Sequence, residues 1–427
     1  MRLKKSIKAS ITEKRIFFFL SLVLFVVSFS FYLPGKKPVY HKQSSSSKYN
    51  KACVQEEKNQ ILFAENLGHW HRSTDALIEK RRAKVNIVHI GDSHIQADIL
   101  THRTRTMLQK TFGNGGRGFI FPYRLLRSNS PLNVRIRKGG EWAGCRSTRM
   151  RDQCNFGITG ASAATFDSSA FVMINPNRFD DMDYSFDRMK LFHYRTPHDF
   201  ELRFRNSDSG LIETDIQPLA KTTSLVTFNS PQDSFLLTFE KAQKQEMFQL
   251  FGMSLENDKP GMLYHSIGLN GAYLNSYLRN QFFDEQLKQL RPDLIIVSLG
   301  TNDGYMSDTR FCIDCFKTNY KKLLTEIKKN NPNASILLTT PGDYYRKRRY
   351  HNSNNLNIVK VIKDLAEEFD AGVWDFNSIM GGEYSIRTWH RNGLSQNDLV
   401  HYTLEGYLVQ GELLYEALMD SYEQRFE

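Results

Sequence analysis

The chain is short of cysteine and of proline, and it has almost no acid at its start. Five Cys in 427 residues are too few for a disulfide-dense scaffold, and 12 Pro with 26 Gly exclude a collagenous or Pro/Gly-rich disordered chain. No tandem repeat is present. The first 50 residues hold ten Lys/Arg against one acid, so the net charge of +11 leaves only +2 for the other 377. A groove for a polyanion needs an excess of Lys/Arg in the folded part, and this distribution argues against a nucleic-acid partner. What remains, 40% hydrophobic and 24% charged, is an ordinary globular composition, long enough for two to three domains.

Ile16 to Leu33 contain no charged side chain. As a helix they reach ~27 Å, close to the hydrocarbon thickness of a bilayer. Arg2, Lys4, Lys5, Lys8, Lys14 and Arg15 precede them, which retains residues 1–15 in the cytoplasm and sends the rest across, against the weaker opposing signal of Lys36 and Lys37. A cleaved signal peptide shares this pattern, but the apolar run exceeds the usual h-region and no small-x-small site follows it. The expectation is a single-pass anchor at 16–33, a Ser/Lys/Pro tether at 34–54, and a body on the periplasmic or extracellular side of the cell membrane. That compartment permits disulfides, for which Cys145 with Cys154 and Cys312 with Cys315 are candidates; spacing alone assigns no pairs. Cys312-x-x-Cys315 also suits half a zinc site, but no second Cys/His pair stands at a matching distance. Cys53 is left over.

Residues 55–85 read as a helix, followed by a β-branched strand from Lys84 to Ile90 and a helix from Ala97 to Thr111. Later, strands at Asp293–Leu299, Ala334–Thr340 and Gly372–Phe376 alternate with helices at Thr318–Lys329, Leu356–Phe369 and Thr403–Ser421. Such alternation implies a parallel sheet covered on both faces. Between 130 and 260 the rhythm changes to short strand-like runs without helices, among them Ala170–Ile174, Arg188–Tyr194, Phe200–Arg205, Ser224–Phe228, Ser234–Phe239 and Met247–Met253. These point to a β-sandwich inserted into an α/β domain made of 55–129 and 261–427.

In an α/β sheet, functional residues gather at the carboxyl ends of the strands. Three such ends are polar here. Gly91-Asp92-Ser93-His94 presents a serine at a strand-to-helix turn, where its hydroxyl is accessible and its N–H can face a developing negative charge. Gly300-Thr301-Asn302-Asp303-Gly304 places an amide donor beside a glycine turn. Asp398-Leu399-Val400-His401 pairs a carboxylate with an imidazole three residues on, the carboxylate orienting the ring and stabilising its charged form. Each alone reads more often as a capped turn or a surface pair. Together, nucleophile, oxyanion donor and base supply what acyl transfer requires.

On these blocks the sequence resembles the SGNH/GDSL hydrolases, serine esterases with a flavodoxin-like three-layer α/β/α fold. The resemblance covers about 84–125 and 262–420. His94 stands where the family name has Leu. The family's lone oxyanion glycine is matched by Gly271, in the segment returning from the insert, with Gly160 as the alternative inside the insert. The resemblance implies that Ser93 attacks an ester carbonyl, His401 carries the proton, and Asp398 holds His401. The N–H groups of Ser93 and Gly271 and the amide of Asn302 would form the oxyanion hole, without metal or other cofactor. The insert, the Gly-Asp-Ser-His variant and Phe112-Gly113-Asn114-Gly115-Gly116-Arg117-Gly118 are similar to bacterial peptidoglycan O-acetylesterases, whose inserted domain resembles a carbohydrate-binding module. Phe192, Tyr194, Phe200 and Phe204 of the insert would then either stack on sugar or fill its core. The expected function is an anchored esterase removing O-acetyl groups from envelope carbohydrate. The alternatives are an O-acetyltransferase using the same triad and a non-catalytic glycan-binding envelope protein.

Overall fold

In a computed structural model of the chain, the structure describes residues 53–177, 182–194, 201–208, 210–240 and 247–425. The expected membrane span and nearly all of the tether lie outside these residues. Among the described residues no helix is long and apolar enough to cross a membrane.

Five aliphatic runs lie side by side as parallel strands: Lys84–Gly91, Gly261–Gly268, Leu294–Ser298, Ser335–Thr339 and Gly372–Trp374. Ranked by position in the chain, their spatial order is 2-1-3-4-5. This is the flavodoxin-like order, whose topological switch falls between Lys84–Gly91 and Leu294–Ser298. Side chains alternate across the sheet. Val85, Ile87, Leu294, Ile296 and Leu337 join one core with the helices Leu100–Phe112 and Leu404–Gln424. Val88, Ile90, Ile295, Val297, Ile336 and Leu338 join the other with Ile313–Asn330 and Asn354–Glu368. Two buried faces explain why these strands read as continuous apolar runs.

The expected helix over 55–85 is corrected. That stretch contains single 3₁₀ turns at Glu56–Lys58 and Ala64–Leu67, a strand Ile61–Leu62, and a helix only at Gly68–Ile78. Ile61 and Leu62 pair antiparallel with Trp374 and Val373 at the sheet edge, so a tertiary ladder overrides the local pattern. Strand Gly261–Gly268 has no counterpart among the strands expected from the sequence. Its glycine ends conceal it, and they are needed: a Cβ on Gly268 would stand 2.2 Å from the Gln96 nitrogen.

The strand-rich region forms two antiparallel sheets. The smaller combines Arg135–Gly139, Phe171–Asn175, Glu201–Arg205, Leu211–Ile212 and Phe235–Glu240. The larger is built around Phe186–Tyr194, Thr223–Gln232 and Phe248–Glu256, and Gly118–Ile120 from ahead of residue 130 already pairs with Phe248–Glu256. Phe192 and Phe204 are fully buried among other aromatics, so they are core residues rather than sugar platforms; Tyr194 stacks on Phe282, and Phe200 lies outside the described residues. These sheets share one core with the α/β layer: Ile158 and Phe251 cluster with Phe283 and Leu287 of helix Phe283–Leu290. Gln286 accepts from the Ile158 N–H at 2.8 Å and Glu285 from the Thr222 N–H at 2.8 Å. Residues 40–427 accordingly cluster as one unit. Cys145 is bonded to Cys154 and Cys312 to Cys315, while Cys53 is free and buried.

Candidate active site

The loops flanking the topological switch meet. After Gly91, Asp92 caps a single helical turn, Ser93–Gln96, its carboxylate accepting from the His94 N–H at 3.0 Å. This turn lifts Ser93 out of the sheet into a cleft of about 740 Å³. Across the switch, Gly300 takes φ +132°, a conformation that favours glycine, and starts the short helix Thr301–Gly304 that carries Asn302. Gly271, at φ +76°, turns the chain after strand Gly261–Gly268 and lines the same cleft with open space beside it. Gly160 instead sits against Ser147 and Asn280, where a Cβ would come within 2.2 Å of the Ser147 hydroxyl.

The closing loop completes the arrangement just before helix Leu404–Gln424. His401 Nε2 lies 3.0 Å from Ser93 Oγ, and His401 Nδ1 lies 2.7 Å from Asp398 Oδ2. Asp398 Oδ1 accepts from the backbone N–H groups of Val400 and His401 at 3.0 and 2.9 Å. Leu399 at φ +57° provides the tight bend that folds Asp398 back onto its own loop. Burial raises the Asp398 carboxyl, but the hydrogen bonds from the His401 ring and from these N–H groups outweigh it and hold the group well below the usual carboxylate range. The same ring bond raises His401 above its ordinary value, with burial opposing.

The structure adds residues that the sequence reading passed over. Asn302 Nδ2 donates to the Ala272 carbonyl at 2.9 Å and to Asp92 Oδ2 at 3.2 Å, so its amide is already aimed by two acceptors. Asp92 is buried, which pushes it up to about 6 despite the His94 N–H, the His401 charge and Thr301. His94 is half-buried against His401, with ring centroids 5.2 Å apart, and its Nδ1 lies 2.9 Å from the Tyr407 hydroxyl. Burial, reinforced by the His401 charge, pushes His94 down to about 3, so it stays neutral beside the His401 ring. Asp303 is half-buried with its Oδ2 enclosed, and this desolvation pushes it up to about 7; its Oδ1 accepts from the Leu274 N–H at 3.1 Å, tying the Asn302 loop to the segment after Gly271. Asp92, His94 and Asp303 were visible only as members of turn motifs. Their burial, which sets their charge, has no local signal.

Residues 249–409 match the GDSL-like lipase/acylhydrolase family. No curated protein matches the chain. Among solved structures, a peptidoglycan O-acetylesterase is similar over 83% of this chain and 96% of its own, with a TM-score of 0.70 and 20% identity. A family two carbohydrate esterase from Cellvibrio japonicus covers 68% of this chain and 99% of its own at 12% identity and TM-score 0.29. A lipase/acylhydrolase from Enterococcus faecalis covers 36% and 75% at 20% identity and TM-score 0.30.

Proposed function

Given that the chain carries an SGNH/GDSL hydrolase domain, an enzyme domain for carboxylic esters, we propose that it removes O-acetyl groups from cell-envelope carbohydrate, peptidoglycan being the favoured polymer. The observation that carries this reading is the unbroken chain from Ser93 Oγ through His401 to Asp398, at 3.0 and 2.7 Å. Ser93 attacks the acetyl carbonyl as His401 Nε2 takes its proton, and Asp398 stabilises the imidazolium. The resulting oxyanion is bound by the N–H groups of Ser93 and Gly271 and by the Asn302 hydrogen now directed at Asp92. His401 returns the proton to the departing sugar oxygen, and water then cleaves the acetyl-serine to acetate.

Location belongs to the same proposal. The apolar run at 16–33 anchors the chain with its body outside the cytoplasm, and two disulfides in the fold support an oxidising compartment. The two-sheet region supports glycan handling through a groove lined by Trp142 and by Phe166, a residue that is 57% exposed. The test is acetate release by the full chain from an aryl acetate and from O-acetylated peptidoglycan. Wild type should act on both and Ser93→Ala on neither; an equally active Ser93→Ala protein refutes the mechanism.

A further inference from the structure

One feature near the cleft is unused by this chemistry. Residues 345–351 form a hairpin in which Tyr345 pairs with His351 and Arg346 with Tyr350. Its turn is Arg346-Lys347-Arg348-Arg349, four successive cations in a folded body of nearly zero net charge. Lys347, Arg348 and Arg349 are exposed, and none of the four pairs with a carboxylate among the described residues. Arg387, over the Tyr345 ring at 4.5 Å, adds a fifth positive charge at the base. Lys347 and Arg348 both have positive φ, 52° and 62°, in a turn that sequences ordinarily fill with Asn-Gly. Charged side chains thus stand where the backbone favours smaller residues.

The hairpin is attached to the cleft. The Lys347 N–H donates to the Tyr305 hydroxyl at 2.9 Å, and Tyr305 lines the cleft together with Ser93, Asn302 and His401. Beside the cations stand two exposed tyrosines: Tyr350, with Arg346 and Arg349 over its ring at 5.1 and 5.7 Å, and Tyr384, stacked on His351 at 4.2 Å. Unneutralised guanidinium and ammonium groups bind carboxylates. We propose that the Arg346–Arg349 hairpin is a specificity element that holds a carboxylate borne by the glycan next to its acetylated sugar, so that the preferred substrate is an anionic O-acetylated polymer. Contact with Tyr305 favours substrate over a membrane surface, because the turn that carries the charge is hydrogen-bonded to a residue lining the cleft. The inference rests on the esterase reading above and names the substrate class for it.

The test uses the full chain in nanodiscs of phosphatidylcholine and the variant Lys347→Gln, Arg348→Gln, Arg349→Gln. Its substrates are an aryl acetate, soluble O-acetylated peptidoglycan fragments, and the same fragments with their carboxylates amidated. The variant should lose about tenfold in kcat/KM on the unmodified fragments, chiefly through KM, while staying within about twofold on the aryl acetate and on the amidated fragments. Arg348→Lys, Arg349→Lys should restore the loss. An equal loss on amidated fragments, no loss on either, or an effect confined to nanodiscs containing phosphatidylglycerol overturns the proposal; the last result would make the hairpin a membrane contact. Retention of the fragments by wild type and variant at low and high salt is measured in parallel. A wild type inactive on every ester refutes the esterase reading, while salt-sensitive retention lost in the variant would still uphold carboxylate binding by the hairpin.

Discussion

At the scale of single residues, the site is organised by where charge is tolerated. His401 must be neutral to accept the Ser93 proton, and Asp398 raises its affinity for that proton. The kcat/KM profile should therefore climb as pH rises, with its acid-limb midpoint above the ordinary histidine value of about 6.5. In Asp398→Asn the midpoint should move to lower pH and the plateau fall by roughly two to four orders of magnitude, as read from pH-rate profiles on an aryl acetate. Asn302→Ala removes the proposed oxyanion donor, a group worth about 3 kcal/mol in the transition state. Its kcat should fall about a hundredfold with little change in KM, and circular dichroism should show an intact fold.

At the scale of elements, Asp303 joins two loops that are distant in sequence, at the cost of burying a carboxyl. Its folded value of about 7 lies above the ordinary carboxylate value, so between about pH 4 and 7 the folded state binds more protons than the unfolded state. Stability therefore declines as pH rises through that window. Asp303→Asn keeps an acceptor for the Leu274 N–H and carries no proton to lose. Thermal unfolding should show it close to wild type near pH 4 and more stable above pH 7, by on the order of 3 kcal/mol; a constant difference across pH would refute the buried-charge account. The turn closed by Cys145–Cys154 behaves differently, because it is held twice: Arg279 also donates to the Ser147 carbonyl at 2.5 Å and the Asp152 carbonyl at 3.0 Å. Cys145→Ser, Cys154→Ser should lower stability by about 2–3 kcal/mol in denaturant titrations and leave aryl acetate turnover unchanged.

At the scale of the whole molecule, the two-sheet region and the α/β layer stand or fall together. Ile158, Phe251, Phe283 and Leu287 belong to one apolar cluster, and Gln286 and Glu285 bond across to the β region. Replacing 130–260 by a short linker should therefore expose a core face and yield insoluble or molten protein rather than an active α/β domain, as judged by near-ultraviolet circular dichroism. Much of this architecture was legible beforehand. Aliphatic runs ending in polar blocks gave four of the five parallel strands and the loops bearing Ser93 and Asn302, because a doubly covered sheet imposes that pattern on its strands; Asp398 and His401, expected at a third strand end, instead lie in a loop that follows helix Ser385–Arg391. Strand Gly261–Gly268 and the edge pairing of Ile61 and Leu62 were not legible, since both depend on partners far away in the chain. The sequence by itself determined the element types, the polar strand ends and the basic, apolar start. Only tertiary structure decided which side chains are dry: the neutrality of His94, the raised Asp92 and Asp303, and the exposure of the Arg346–Arg349 turn. Desolvation is a property of everything packed around a group, and no local stretch of sequence encodes it.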